Sequence, residues 1–295
     1  MTESLEHLLG GSIDYAGLFP PTALPMDEAV AEYRRLLESD GSWIVNRFIS
    51  PVAWLGDFLT LLKQKAPSEP WKMSILGTSI EGFRQDLRLI EAFEAEAREF
   101  VEVEAYEVKS NGQDLNPGSL RHLVDAGFDE VYVELPWGEP MMEGVLLLAE
   151  TEVIGAKART GGLEASAFPS TTALAAFIQE CVNLDLPFKL TAGLHHPLPT
   201  ADRATGAIMH GFVNVFVAGT LAYVHDLSRP EIERILAANS AEDLWITPGG
   251  LARREFEASN QEVDEFRQQF GSYGSCSVRE PLEDLATLGW LGARA

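Results

Sequence analysis

The run Lys157-Ala158-Arg159-Thr160-Gly161-Gly162 carries the densest chemistry in the chain. Residues two apart on a strand share a face, so Lys157 and Arg159 make a two-pronged cationic clamp for a carboxylate or phosphate. Thr160 adds a hydroxyl, and Gly161 and Gly162 would let backbone N–H groups approach an anion. A strand-end ion pair followed by an ordinary glycine turn is the other reading of the same residues. Phe188-Lys189-Leu190-Thr191-Ala192-Gly193-Leu194-His195-His196-Pro197 is the second such run. Lys189 and Thr191 share a face there, and His195 or His196 could serve as general base or metal ligand. Adjacent histidines diverge on an extended backbone, so one metal would take one of them, together with Glu104 and Glu134. Loop histidines bonded to backbone are the alternative. Asp14 and Arg47 stand inside otherwise apolar strands. They either orient substrate or pair with each other.

The elements that must position these groups alternate along the chain. Short β-type runs fall near 12–18, 43–50, 71–78, 100–106, 130–135, 152–160, 187–193 and 244–247, with amphipathic helical patterns between them. Asn116-Pro117-Gly118-Ser119 and Pro169-Ser170 read as helix starts, and Gly127, Gly193 and Gly289 as stops. Eight strands alternating with helices, without a linker or compositional break, predict one α/β domain over residues 1–295. Its expected form is a (β/α)8 barrel, with an open doubly wound sheet as the alternative. Extra helices are expected between strands 7 and 8, over 197–243, and at the C-terminus, over 253–270 and 281–290.

Helices cover the outside of such a barrel, so outward strand positions must be apolar. With Val101, Val103 and Ala105 outward, Glu102, Glu104 and Tyr106 point in. By the same test Tyr132 and Glu134 point in, as do Lys157 and Arg159, then Lys189 and Thr191. Three carboxylates and three cations thus face one axis, where Val, Ile and Leu are usual. Buried charges must pair, meet water or meet a ligand. They form either a structural ion-pair network or a polar active site at the strand C-termini.

Composition narrows the function classes. The 295 residues hold 22 basic and 45 acidic side chains, net −23, with 46% hydrophobic residues. That charge disfavours nucleic acid and anionic lipid as partners. The N-terminus lacks a signal-like apolar stretch, and the 12-residue apolar run 213–224 is shorter than the ~20 residues that span a bilayer. A cytoplasmic protein is expected, with homo-oligomerisation left open. Cys181 and Cys276 form no CxxC pair, and no dinucleotide fingerprint, phosphate loop, HExxH or nucleophile elbow occurs. No cofactor is required by the sequence, though a divalent metal could be used.

KARTGG, FKLTAGLHHP and GSCSVREPLEDLATLGWL resemble segments of a bacterial protein family to which no activity is assigned; that resemblance covers most of the chain and implies a barrel fold. A local resemblance to class I aldolases centres on Lys157, with Lys189 second, and implies a Schiff-base lysine near a strand end. The expected protein is a barrel enzyme for a small anionic substrate, using lyase, aldolase or isomerase chemistry beside a carbonyl. Lys157 or Lys189 would act with Glu134, Glu104, His195 or His196. Arg159, Thr160, Gly161, Gly162, Asp14, Arg47, Glu102 and Thr191 would hold substrate. The alternatives are a metal-dependent lyase or isomerase on Glu104, Glu134 and His195, and a non-catalytic binding barrel.

Overall fold

A computed structural model describes residues 3–291; the ends of the expected 1–295 domain, residues 1–2 and 292–295, lie outside the described residues. Eight parallel strands close into a barrel: β1 (Ile13–Tyr15), β2 (Val45–Pro51), β3 (Trp71–Leu76), β4 (Val101–Lys109), β5 (Glu130–Glu134), β6 (Ile154–Arg159), β7 (Phe188–Thr191) and, last in the ring, β13 (Tyr273–Ser275). Helices α2 (Met26–Leu37), α3 (Leu55–Gln64), α4 (Phe83–Ala97), α5 (Pro117–Val124), α6 (Glu139–Ala149) and α7 (Thr171–Asn183) connect the first seven strands. Helix α1 (Glu3–Leu9) precedes β1, burying Leu5, Leu8 and Leu9, and α11 (Arg279–Thr287) follows β13. The expected (β/α)8 barrel is the fold.

Local sequence sets these boundaries. The Asn116 side chain caps α5 by accepting from Gly118 and Ser119, with Pro117 at the first helical position, and Ser170 caps α7. Gly127, Gly193 and Gly289 all take positive φ where the preceding element ends. Outward strand residues bury against the helices: Tyr15, Tyr33, Phe48 and Phe58 form one aromatic cluster, and Phe93 of α4 packs on Phe58.

The eighth barrel strand is not where the sequence pattern put it. Trp245–Thr247 is β10, which pairs antiparallel with β11 (Gly250–Arg253), and β11 with β12 (Phe256–Ser259), in a sheet outside the barrel. The barrel is closed instead by Tyr273–Ser275, between β7 and β1. Tyr273 faces outward against Phe212 and Phe216, whereas Gly274 lies where a Cβ would come 2.7 Å from Thr191 Oγ1. The missing side chain at Gly274 leaves room inside the barrel, and a three-residue strand with glycine at its centre shows no apolar alternation.

The single acidic helix expected over 253–270 is likewise shorter. Arg254, with φ 56°, turns β11 into β12, and only Asn260–Arg267 (α10) is helical. The insertion between β7 and β13 also carries a small hairpin, β8 (Thr200–Ala201) with β9 (Ile208–Met209), and α8 (Phe212–His225) and α9 (Arg229–Leu236), the two extra helices expected there. Among the described residues no helix is long and apolar enough to cross a membrane.

Candidate active site

A β-bulge in β4 decides which charges enter the barrel. Met73 pairs with Val103, but Ser74 pairs with Ala105, so β4 gains one residue against β3. The inward phase shifts at that point. Tyr106 turns outward and donates to Asp86 of α4 at 2.8 Å, and Glu107 turns inward, 1% exposed. Glu107 was not among the residues that simple alternation sent inside, yet it is the centre of the interior.

The middle of the barrel is a chain of five alternating charges: Asp14, Lys189, Glu107, Lys157 and Glu134. Lys189 Nζ contacts Asp14 Oδ2 and, at 2.7 Å, Glu107 Oε1. Lys157 Nζ lies 2.7 Å from Glu107 Oε2 and 3.1 Å from Glu134 Oε2. All five are buried. Ser74 donates to Glu107, and Ser272 and Asn46 donate to Asp14. The Tyr132 ring lies 5.7 Å from Lys189 Nζ, and Gly155 beside it leaves room where a Cβ would meet that ring.

Burial disfavours a charged Glu107, but the two lysines outweigh it and hold its carboxyl well below the ordinary carboxylate range. At Lys157 burial opposes the ammonium, yet Glu107 and Glu134 raise its pKa. The resting lysine is therefore protonated. Linkage gives each group its own limit. The stability from Glu107 is complete above the unfolded carboxylate value, about pH 4.3, and fades as pH falls toward its lower folded value. The stability from Lys157 is complete below the unfolded lysine value, near ~10.4, and is lost as pH rises through its higher folded value. Urea unfolding across the acid limb should show a steeper loss for the wild type than for Glu107→Gln; equal slopes would contradict this placement of Glu107.

A second network forms the floor, at the N-terminal end of the strands. Arg47 grips Glu130 through both terminal nitrogens, at 2.8 and 2.6 Å, and Glu104 through Nε at 2.7 Å. Lys72 takes the other oxygen of Glu104, and Tyr132 donates to Glu130 at 3.0 Å. Burial opposes the Arg47 cation, but its carboxylate partners raise its pKa further. Of the two alternatives for Asp14 and Arg47, their direct pairing is only a 4.0 Å contact, supplemented by the Arg47 backbone N–H on Asp14 Oδ1.

The expected site residues thus fall into separate places. Asp14, Lys189, Lys157 and Glu134 converge. Glu104 and Arg47 belong to the floor, and Glu102, the second residue of β4, is exposed at the N-terminal rim rather than facing the cluster. His195 and His196 turn to α11: His195 Nδ1 lies 3.3 Å from Glu280, and His196 Nδ1 2.5 Å from Asp284. Burial lowers the His195 pKa, with Glu280 opposing. Glu104, Glu134 and His195 consequently do not meet, and among the described residues no group of three His, Cys, Asp or Glu side chains is arranged to hold a metal. Arg159 is exposed at the mouth, one pleat above Lys157, in register with half-buried Thr191.

Thr160 donates to the Ala192 carbonyl, tying the β6 and β7 loops. Gly161 serves the same packing: its Cβ would lie 2.7 Å from Gly193 Cα, and that of Gly162 2.7 Å from Ala167 Cβ. Gly161→Ala should cost about 1–3 kcal/mol through overpacking against backbone; unchanged thermal stability would show that this contact yields. Cys276, near the last strand end, is buried, and burial raises its thiol pKa.

Glu107 left a trace in the sequence. Outward apolar positions run Val101, Val103, then Tyr106, Val108, a spacing of three where a regular strand gives two. Lys72 and Glu130, at strand starts, and Ser272, just before β13, were missed because the sequence pattern did not fix where the interior begins. No protein-family model matches the chain, and no curated protein sequence does, which leaves the chemistry of these side chains as the ground for assigning a function.

Proposed function

We propose that the protein is a small-molecule enzyme of the cytoplasm that uses Lys157 as an imine-forming lysine on an oxo substrate bearing an anionic group. The reaction class is C–C cleavage or condensation, or isomerisation, beside the carbonyl. The observation that carries this reading is Lys157 Nζ held between Glu107 and Glu134 near the strand C-termini, where barrel enzymes keep their chemistry.

Lys157 is favoured over Lys189 by its partners. The two lysines are in register, but Lys157 pairs with Glu134, the last residue of β5, whereas Lys189 is fully buried against Asp14. Attack on a carbonyl needs the neutral amine. Glu134, 3.1 Å away at the mouth, is placed to take the proton, which turns an ion pair into a neutral amine and acid. Lys189 then keeps Glu107 charged beneath. The amine adds to the carbonyl carbon, one of its two protons passes to the former carbonyl oxygen, Glu134 returns its own proton to that oxygen, and water leaves. The resulting iminium stabilises negative charge on the neighbouring carbon, the step that cleavage, condensation and isomerisation share. Glu134 is again a carboxylate at that stage, ready to accept the α proton.

Exchange of substrate α protons in heavy water tests this reading whatever the second product is. A panel of short oxo acids and oxo phosphates should contain one whose α protons exchange with wild-type protein and not with Lys157→Met. No exchange on any member of the panel would count against the imine route.

A further inference from the structure

Two cations at the barrel mouth indicate where the anionic end of a substrate would be held. Lys109 is the last residue of β4 and Arg159 the last of β6, on either side of β5 and its terminal Glu134. Lys109 is in register with Glu134, and Glu134 with Lys157. Beyond the bulge Lys109 shares the inward face with Glu107, as Arg159 does with Lys157. Both rim cations are exposed. Neither takes part in any ion pair found among the described residues, in a chain with 45 acidic side chains. Glu134, the carboxylate in register beside Lys109, is engaged by Lys157 instead.

We propose that Lys109 and Arg159 form a subsite for the carboxylate of a short-chain oxo acid, held directly above Lys157. The proposal deepens the imine-lysine reading and rests on it for the choice of an oxo acid. Arg159 offers a planar fork that matches two carboxylate oxygens, and Lys109 supplies a point charge from the far side of β5. The separation between the Lys157 and Arg159 layers is two strand residues, roughly 6.6 Å, so carbonyl and carboxylate must lie close together in the substrate. A phosphate would need more donors, and the adjacent glycines are packed: the Cβ positions of Gly161 and Gly162 are already filled by Gly193 and Ala167. The net charge of −23 repels anions at long range, so capture depends on these local cations.

The subsite is tested with lactate, a 2-hydroxy acid that cannot form an imine, in calorimetric or NMR titrations of the full chain. Wild-type protein should bind it, and Lys109→Met and Arg159→Met should each weaken binding roughly tenfold, the loss of one charge-assisted contact. Arg159→Lys should fall between, retaining charge without the fork. Absence of lactate binding by wild type, or equal binding by the variants, would overturn the subsite. Glycerol 3-phosphate is the companion probe. If the two substitutions weaken its binding and not that of lactate, the carboxylate assignment is overturned. Borohydride trapping with pyruvate separates the two readings. Charge-dependent lactate binding without any trapped lysine supports the subsite and removes the imine lysine, whereas trapping unaffected by Lys109→Met and Arg159→Met supports the lysine and removes the subsite.

Discussion

Glu107→Gln is expected to lower the free energy of unfolding by about 3–5 kcal/mol, the cost of removing one partner from a buried ion pair. Glu107 carries more than an ordinary partner, because it bridges Lys157 and Lys189 while accepting from Ser74. An amide keeps the volume but turns N–H hydrogens toward one of two buried ammonium groups. Lys189 then has Asp14 alone, and Lys157 has Glu134 alone. The exposed Glu102, on the N-terminal side of the bulge, supplies the control: Glu102→Gln should change stability by less than about 0.5 kcal/mol. Urea denaturation of both variants makes the comparison. A loss below about 1 kcal/mol for Glu107→Gln would mean that the lysines are satisfied without it. Pairing Glu107→Leu with Lys157→Met should recover part of the loss, since the uncompensated charge rather than the missing contact dominates the cost.

Lys157→Met has the opposite profile. It should abolish α-proton exchange, a fall of roughly 10³-fold or more when the residue that bonds to substrate is removed, while the barrel remains folded. Glu107 retains Lys189 and Ser74, and Glu134 ends its strand beside the mouth. Stability should therefore fall less than in Glu107→Gln. A purely structural network predicts the reverse order: lost stability in Lys157→Met with ligand binding untouched. Circular dichroism and urea unfolding, run beside the exchange assay, separate the two.

The sequence carried the barrel and much of its interior because both depend on patterns a single chain displays. Seven strands followed from alternation and from helix caps such as Asn116 and Ser170. Lys157, Lys189 and Glu134 followed from inward alternation on regular strands. Two features lay outside those rules. A bulge resets the inside-outside phase, which hid Glu107, while Glu102 stays out of the cluster because it stands at the start of β4. The last barrel strand has three residues, and its inward one is Gly274, which must clear Thr191, so Tyr273 alone carries a strand-like signal. The histidines illustrate a third limit. Their residue types fit catalysis, but their partners, Glu280 and Asp284, lie far onward in the chain, on a helix that only folding brings back.

Borohydride reduction of the full-length protein in the presence of a 2-oxo acid, followed by peptide mass mapping, bears most directly on the role of Lys157. The expected product is a secondary amine at Lys157 Nζ, absent in Lys157→Met and undiminished in His195→Ala and His196→Ala, whose side chains face α11. A reduced adduct at Lys189, or no adduct at any lysine across the panel of oxo acids, would contradict the account.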